Sequence, residues 1–223
     1  MIHTHYFITR KEPLSDAEFH RYWRETHGPI VTRIKQLRMY VQSHRIPYAG
    51  ANSSYDGEAE VMVDSLQAIA DLRANPEYLN GALADERNFI DLKRVEWMAT
   101  QDHVIVDGPS GSPLVKGVYQ LKKLDGMSLD EFRKYWIEVH GSLGSKLPGL
   151  RRYVQSHLVD DAYAYARPHF DGVAQLWFDS ADAMRAAFDS SAGKELAADG
   201  PKFTDMSALR MFVAQEHVVI PLK

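Results

Sequence analysis

Polar and apolar positions recur along this chain in two rhythms. In residues 19–26, Phe19, Tyr22, Trp23 and Thr26 fall three or four apart, the spacing of one helix face. Just before them Ser15 and Glu18 form a capping box, in which a serine oxygen and a glutamate satisfy the first free N–H groups, and Gly28-Pro29 supplies a predicted stop. Residues 38–44 alternate instead, with Met39, Val41 and Ser43 on one side and Arg38, Tyr40, Gln42 and His44 on the other, as a strand requires. Tyr6-Phe7-Ile8 predicts a short first strand and Ala59–Val63 a third. A helix is expected from Leu66 to Leu72, helical or irregular structure over 77–92, and a last strand over about 94–106. The order β-α-β-β-α-β is the split-βαβ, ferredoxin-like plan.

The same rhythms return further along. Residues 132–157 match residues 19–44 at 13 of 26 positions, at a constant shift of 113, far above chance for average residue usage. Ser128 and Glu131 repeat the capping box, and Phe132, Tyr135, Trp136 and Val139 repeat the helix face. A later stretch, shifted by 114, pairs Gln101–Val104 with Gln215–Val218. The expected organisation is a first repeat over 1–106, a Gly/Pro/Ser linker over 107–113 and a second repeat over 114–223. A sheet of this plan carries both helices on one face. Two copies can therefore pack their bare faces together, giving a pseudo-twofold α+β barrel with a cavity between the sheets.

Composition narrows the function classes. The 223 residues carry a net charge of −4 and lack the basic footprint of a nucleic-acid binder. There are no cysteines, which removes disulfides, thiolate metal sites and cysteine nucleophiles together. No secretory leader or membrane-spanning run is visible, so the expected compartment is the cytoplasm and the expected partner a small molecule. A homodimer of fused barrels is compatible with this plan. No G-x-G-x-x-G after a strand, P-loop, H-E-x-x-H or G-x-S-x-G is present. The expectation is therefore chemistry without a cofactor, with haem left open because one axial histidine needs no motif.

Phe19-x-x-Tyr22-Trp23-x-x-x-His27-Gly28-Pro29, Tyr40-Val41-Gln42-Ser43-His44, Tyr55-Asp56-Gly57 and Glu216-His217-Val218-Val219 resemble the EthD family of the dimeric α+β barrel superfamily. The resemblance spans both halves, with Ser142 in the usual proline position and Asp102 in the usual glutamate position. It implies degradation of ethers and xenobiotics, or decarboxylation and dehydration of aromatic polyketides. Barrel relatives also include isomerases, cofactor-free monooxygenases and haem proteins, so the fold constrains the site's position more than its chemistry.

The candidate catalytic residues begin with His44, Tyr40 and Gln42, and their counterparts His157, Tyr153 and Gln155. At spacing two they share a strand face, expected to line the cavity between the sheets. An imidazole there can move a proton near neutral pH, and the phenol and amide can hold a developing oxyanion. The competing role is a hydrogen-bonded seam without chemistry. His27 and His140, expected at helix C-termini, offer a second proton carrier or merely cap the helix. Glu60, opposite the apolar row of its strand, would be a general base if enclosed, whereas the second repeat has Gln175 in that row. His103 and His217 are secondary candidates. His3 and His5 share a strand face, but two histidines fall short of the three or more ligands of a metal site, so no metal is expected. The preferred reading is cofactor-independent decarboxylation, dehydration or isomerisation of a small aromatic or carbonyl compound. Oxidation, with or without haem, and non-catalytic ligand binding are the alternatives.

Overall fold

In the computed structural model, which describes residues 1–165 and 168–223, each repeat follows the predicted element order. The first contains β1 (Ile2–Ile8), α1 (Asp16–Tyr22), α2 (Gly28–Val31), β2 (Met39–Ile46), β3 (Gly57–Val63), α3 (Leu66–Leu72), α4 (Leu83–Phe89) and β4 (Glu96–Val106). The second contains β5 (Val115–Leu121), α5 (Leu129–Tyr135), α6 (Ser142–Gly144), β6 (Leu150–Leu158), α7 (Asp160–Tyr165), β7 (Gly172–Phe178), α8 (Ala181–Asp189), α9 (Ser191–Asp199) and β8 (Arg210–Ile220). Hydrogen bonding joins β1, β3 and β2 in that order, and β8, β5, β7, β6 and β4 in that order. No helix among the described residues is long and apolar enough to cross a membrane.

Two compact units divide the chain. One comprises Met1–Arg45, Ser54–Ala99 and Glu216–Lys223, and the other Ile46–Ser53 and Thr100–Gln215. In the first, β3 pairs antiparallel with both β1 and β2, placing Ala59 opposite Tyr6 and Gln42, and Val61 opposite Tyr40. Directly opposed residues share a face, so Tyr6, Ile8, Tyr40, Gln42, His44, Ala59 and Val61 form one row. His3, His5, Val41, Ser43, Glu58 and Glu60 form the other. The second unit repeats the pairing, with β7 between β5 and β6. Its core gathers Phe132, Trp136, Tyr153, Leu176, Met184 and Phe203, and that of the first unit Ile8, Phe19, Trp23, Phe89 and Ile90.

Both capping boxes form as predicted, at Ser15–Glu18 and Ser128–Glu131. The predicted stop at Gly28-Pro29 does not. The chain runs from α1 through a π-helical turn, Trp23–His27, straight into α2. Pro29 sits in the first turn of α2, where a missing N–H costs nothing. Gly28 is right-handed helical and donates its N–H to the Trp23 carbonyl.

That turn also decides which way the second strand faces. The Tyr40-Gln42-His44 row, expected on the bare face, instead packs against its own helix. Gln42 Nε2 donates to the Trp23 carbonyl at 2.8 Å and to the Tyr40 hydroxyl at 3.2 Å, and Trp23 Nε1 donates to the same hydroxyl at 2.9 Å. The His44 ring stacks on Trp23 with centroids 4.5 Å apart and planes 2° from parallel. In the second unit Gln155 Nε2 reaches the Trp136 carbonyl at 2.8 Å, and His157 stacks on Trp136 at 4.4 Å. In the first unit the polar row thus satisfies both a widened helical turn and the indole it carries. In the second, Gln155 serves the turn and Trp136 Nε1 makes no hydrogen bond.

Because Trp23 O can only accept, the group facing it must be the Gln42 amine, and Oε1 then faces His44 Nε2 at 3.1 Å. Gln42→Glu would set an oxygen against that carbonyl and strip two donors from a buried network. The expected cost is roughly 2–3 kcal/mol, read as a lower midpoint in chemical denaturation, with Gln42→Leu milder.

Candidate functional site

Each unit holds a cavity between its sheet and its own helices. In the first the cavity is about 80 Å³, with Tyr6, Tyr40, His27, Tyr78 and Glu86 in an otherwise apolar wall of Ile, Leu and Val side chains. A second chamber of about 150 Å³, containing Arg73 and Trp97, shares Tyr6, Leu72 and Tyr78 with it. The two chambers adjoin across three side chains, and Arg73, which is exposed, stands at the outer one.

His27 owes its position to the π-helical turn, which directs the ring toward α4. Its Nδ1 lies 2.9 Å from Asp85 Oδ2, and the ring rests on Phe89 with centroids 4.9 Å apart. The Tyr22 hydroxyl donates to the other Asp85 oxygen at 2.7 Å. Burial pushes Asp85 up, but hydrogen bonds from Tyr22, His27 and Asn88 outweigh it, and its carboxyl lies below the usual range. An ionised carboxylate can only accept, so Nδ1 carries the proton and Nε2 of the neutral ring is basic. Burial holds the His27 pKa below its ordinary value against the pull of Asp85, so the ring is neutral at physiological pH.

Two further groups complete the first cavity. Burial, reinforced by the neighbouring Asp85 carboxylate, pushes Glu86 up to about 7. Its carboxyl therefore exchanges a proton in the range where proton transfer is useful. Burial also pushes the Tyr40 phenol well above its usual value. The Tyr40 oxygen accepts from Trp23 and Gln42, so its own proton is available for donation.

The second unit repeats the dyad. His140 Nδ1 lies 3.0 Å from Asp199 Oδ2, and Tyr135 donates to Asp199 at 2.7 Å. The cavity there is about 190 Å³, contains His140, Tyr119, Tyr153 and Thr204, and is otherwise apolar, with Phe188, Leu196 and Phe203 in its wall. No carboxylate corresponding to Glu86 lines it.

The structure separates the residues singled out from sequence. His27, Tyr40, His140 and Tyr153 line these cavities. His44, Gln42, His157 and Gln155 lie behind them, buried against the tryptophans, and line neither cavity. Burial, with His20, His217 and Arg24 nearby, holds His44 down to about 2, and burial with His103 and Arg133 holds His157 to about 3. His44 Nε2 donates to Gln42 Oε1, and a ring held this far below its ordinary pKa is a weak base. Glu60 lies on the opposite sheet face, receiving a hydrogen bond from Ser43 at 2.8 Å. His217 and His103 pack on His44 and His157, both at 4.4 Å.

Asp85, Glu86, Tyr78 and Asp199 escape the sequence reading. For the aspartates a signal exists. The shift of 114 that relates Gln101 to Gln215 also carries Asp85 onto Asp199. The same shift carries Glu86 onto Gly200, the point at which the two cavities part.

A model of the EthD domain matches twice, over residues 11–93 and 124–207. No match is found among curated proteins. Among solved structures, an anthrone oxidase-like protein superposes with a TM-score of 0.65 at 11% identity, covering 98% of this chain and 93% of its own. A protein from Fusobacterium nucleatum named as a candidate monooxygenase gives 0.63 at 9% identity, covering 100% and 92%. A haem-binding protein from Thermus thermophilus gives 0.54 at 12% identity, covering 96% and 90%. At these identities the likeness shows the fold. His27 and His140 would each offer an axial nitrogen to haem. However, cavities of about 80 and 190 Å³ fall below even the roughly 300 Å³ at which pockets for larger ligands begin, and the macrocycle does not fit them.

Proposed function

Because the chain belongs to the EthD family, and because its first repeat brings a His–Asp dyad, a phenol and a carboxyl titrating near neutrality into one cavity, we propose that it catalyses proton transfer on a small aromatic or carbonyl-bearing compound without a cofactor. The observation that carries this reading is His27 on the cavity wall, held from behind by Asp85. Asp85 holds the proton on Nδ1 and stabilises the imidazolium that forms. Nε2 removes a proton from carbon or from a phenolic oxygen, and the Tyr40 hydroxyl donates to the oxyanion that develops. Glu86, protonated below about pH 7, returns a proton to another position. Decarboxylation, dehydration and isomerisation all pass through such an enolate, and the adjoining chamber with Arg73 would receive a carboxylate or other acidic substituent.

The reaction class can be tested before the substrate is known. Small ketones and β-keto acids incubated with the protein in D₂O should exchange the hydrogens next to the carbonyl, read by proton NMR. Wild-type exchange no faster than that of the His27→Asn variant would count against the proposal.

The titration of Glu86 adds a pH prediction. Its folded pKa of about 7 stands above the ordinary 4.5, so the folded chain holds a proton that the unfolded chain has released. The stability this group contributes is complete below about pH 4.5 and is lost as pH rises through 7. Glu86→Gln should flatten the decline in thermal stability between pH 5.5 and 8 and remove the alkaline limb of the rate profile near 7.

Oxidation is the second reading, favoured by fold neighbours named for monooxygenase and anthrone oxidase. The same base would then generate a carbanion that O₂ oxidises. Oxygen consumption coupled to substrate loss distinguishes it, and a Soret band in the purified protein would indicate haem.

A further inference from the structure

On the sheet face turned away from the helices, the first repeat carries a polar cluster that the proton-transfer site does not use. His3 and His5 of β1 lie beside Glu58 and Glu60 of β3, with His5 directly opposite Glu60 in the register. All four side chains are buried, none more than 4% exposed. His5 Nδ1 lies 2.7 Å from Glu58 Oε1, and His3 Nε2 lies 3.5 Å from Glu60 Oε2. One ligand atom each from His5, Glu58 and Glu60 falls within 4.8 Å of the others. Ser43 Oγ, from β2, donates to Glu60 Oε1 at 2.8 Å, the outer-shell bond that orients a carboxylate ligand.

We propose that His5, Glu58 and Glu60 bind one divalent first-row transition-metal ion, with His3 beside them. Imidazole and carboxylate together suit Zn²⁺, Mn²⁺, Fe²⁺ or Co²⁺. Rotamer adjustments of about an ångström would bring such donors to the roughly 2.0–2.2 Å bond lengths these ions take. The ion's two charges offset those of the two carboxylates, a large gain where all four groups are withdrawn from water.

The second repeat supplies an independent reason. Its register sets Val118 opposite Gln175, where the first has His5 opposite Glu60, and sets Gln120 opposite Val173, where the first has Phe7 opposite Glu58. Lys116 stands where His3 does. The fold is thus built a second time without this donor set. The serine is retained as Ser156, whose Oγ donates at 2.7 Å to Asp102 instead. The donor set is a property of one repeat rather than a requirement of the sheet.

Because the cluster is buried, the ion is best supplied during expression as well as to the purified chain. Full-length protein, stripped with EDTA, should take up one Co²⁺ per chain, with visible d–d absorption characteristic of nitrogen and oxygen donors. Zn²⁺ and Mn²⁺ should each raise Tm by several degrees. Glu60→Gln and Glu58→Gln, which keep side-chain shape, should each lower affinity at least tenfold, while His20→Gln, outside the cluster, should leave it unchanged. The site does not depend on the proton-transfer reading, since no turnover is measured. Failure of all three ions to bind stoichiometrically after growth in supplemented medium would overturn the proposal. So would uptake that follows His20→Gln rather than the glutamate variants.

Discussion

Replacing His27 by asparagine is expected to lower turnover by about 10²–10⁴-fold, the usual contribution of a positioned general base, while the protein stays folded. The ring is held by one hydrogen bond to Asp85 and by packing on Phe89, and asparagine can keep the former. Asp85→Asn should also be severe. An amide in place of the carboxylate no longer requires the proton on Nδ1, and the tautomer that exposes a basic Nε2 loses its support. His44→Asn sets the opposite expectation, with turnover within a few-fold of wild type but a lower Tm, because His44 stacks on Trp23 and donates to Gln42. His140→Asn reports whether the second unit contributes, since its dyad is intact but its cavity lacks a counterpart of Glu86. Steady-state kinetics on a substrate found by hydrogen exchange, with thermal melts alongside, separates these outcomes. Equal losses in His27→Asn and His44→Asn would deny the distinction between cavity wall and packing seam.

A large stability effect is expected at Gly57. A Cβ there would stand 2.6 Å from Trp23 Cζ3 and 2.7 Å from the Ser43 carbonyl oxygen. One neighbour is a fully buried ring and the other is strand backbone, so neither can retreat cheaply. Gly172 meets the same arrangement, 2.6 Å from Trp136 Cζ3 and 2.7 Å from the Ser156 carbonyl. Gly57→Ala should therefore destabilise by about 3 kcal/mol or more, at the upper end of overpacking effects. For a chain of this length that lowers Tm by roughly 6–12 °C. Gly126→Ala is a useful contrast, because no atom lies within 4 Å of the added carbon and the cost there comes from a φ of +87° alone. A Gly57→Ala chain melting like wild type would mean that Trp23 does not pack where described.

The fold was legible because its signals are local and appear twice. Ser15 with Glu18 and Ser128 with Glu131 mark the helix starts, and the alternation through Met39–His44 marks a strand. What alternation cannot reveal is which of two half-polar faces meets the helix. Tyr40, Gln42 and His44 read as a cavity lining because polar side chains are usually excluded from helix–sheet packing. The π-helical turn reverses that expectation, since the Trp23 carbonyl and indole both require partners and the strand supplies them. No sequence pattern announces that turn, and Gly28-Pro29 reads as a terminator although the helix continues through it. His27 was visible as a conspicuous residue, but its partner Asp85 lies 58 positions away and only tertiary packing brings the two together. Similarly, His3 and His5 are at least one ligand short of a metal site in the sequence, and the register sets Glu58 and Glu60 beside them.

The proposed proton transfer uses the cavity between sheet and helices, with His27 at its wall. Imidazole-nitrogen NMR of ¹⁵N-labelled protein during titration with phenol tests it most directly. The prediction is that His27 Nε2 shifts as phenol binds while its Nδ1 stays protonated against Asp85, and that His44 does not respond. A saturable response at His44 and His217 with His27 unmoved would contradict it.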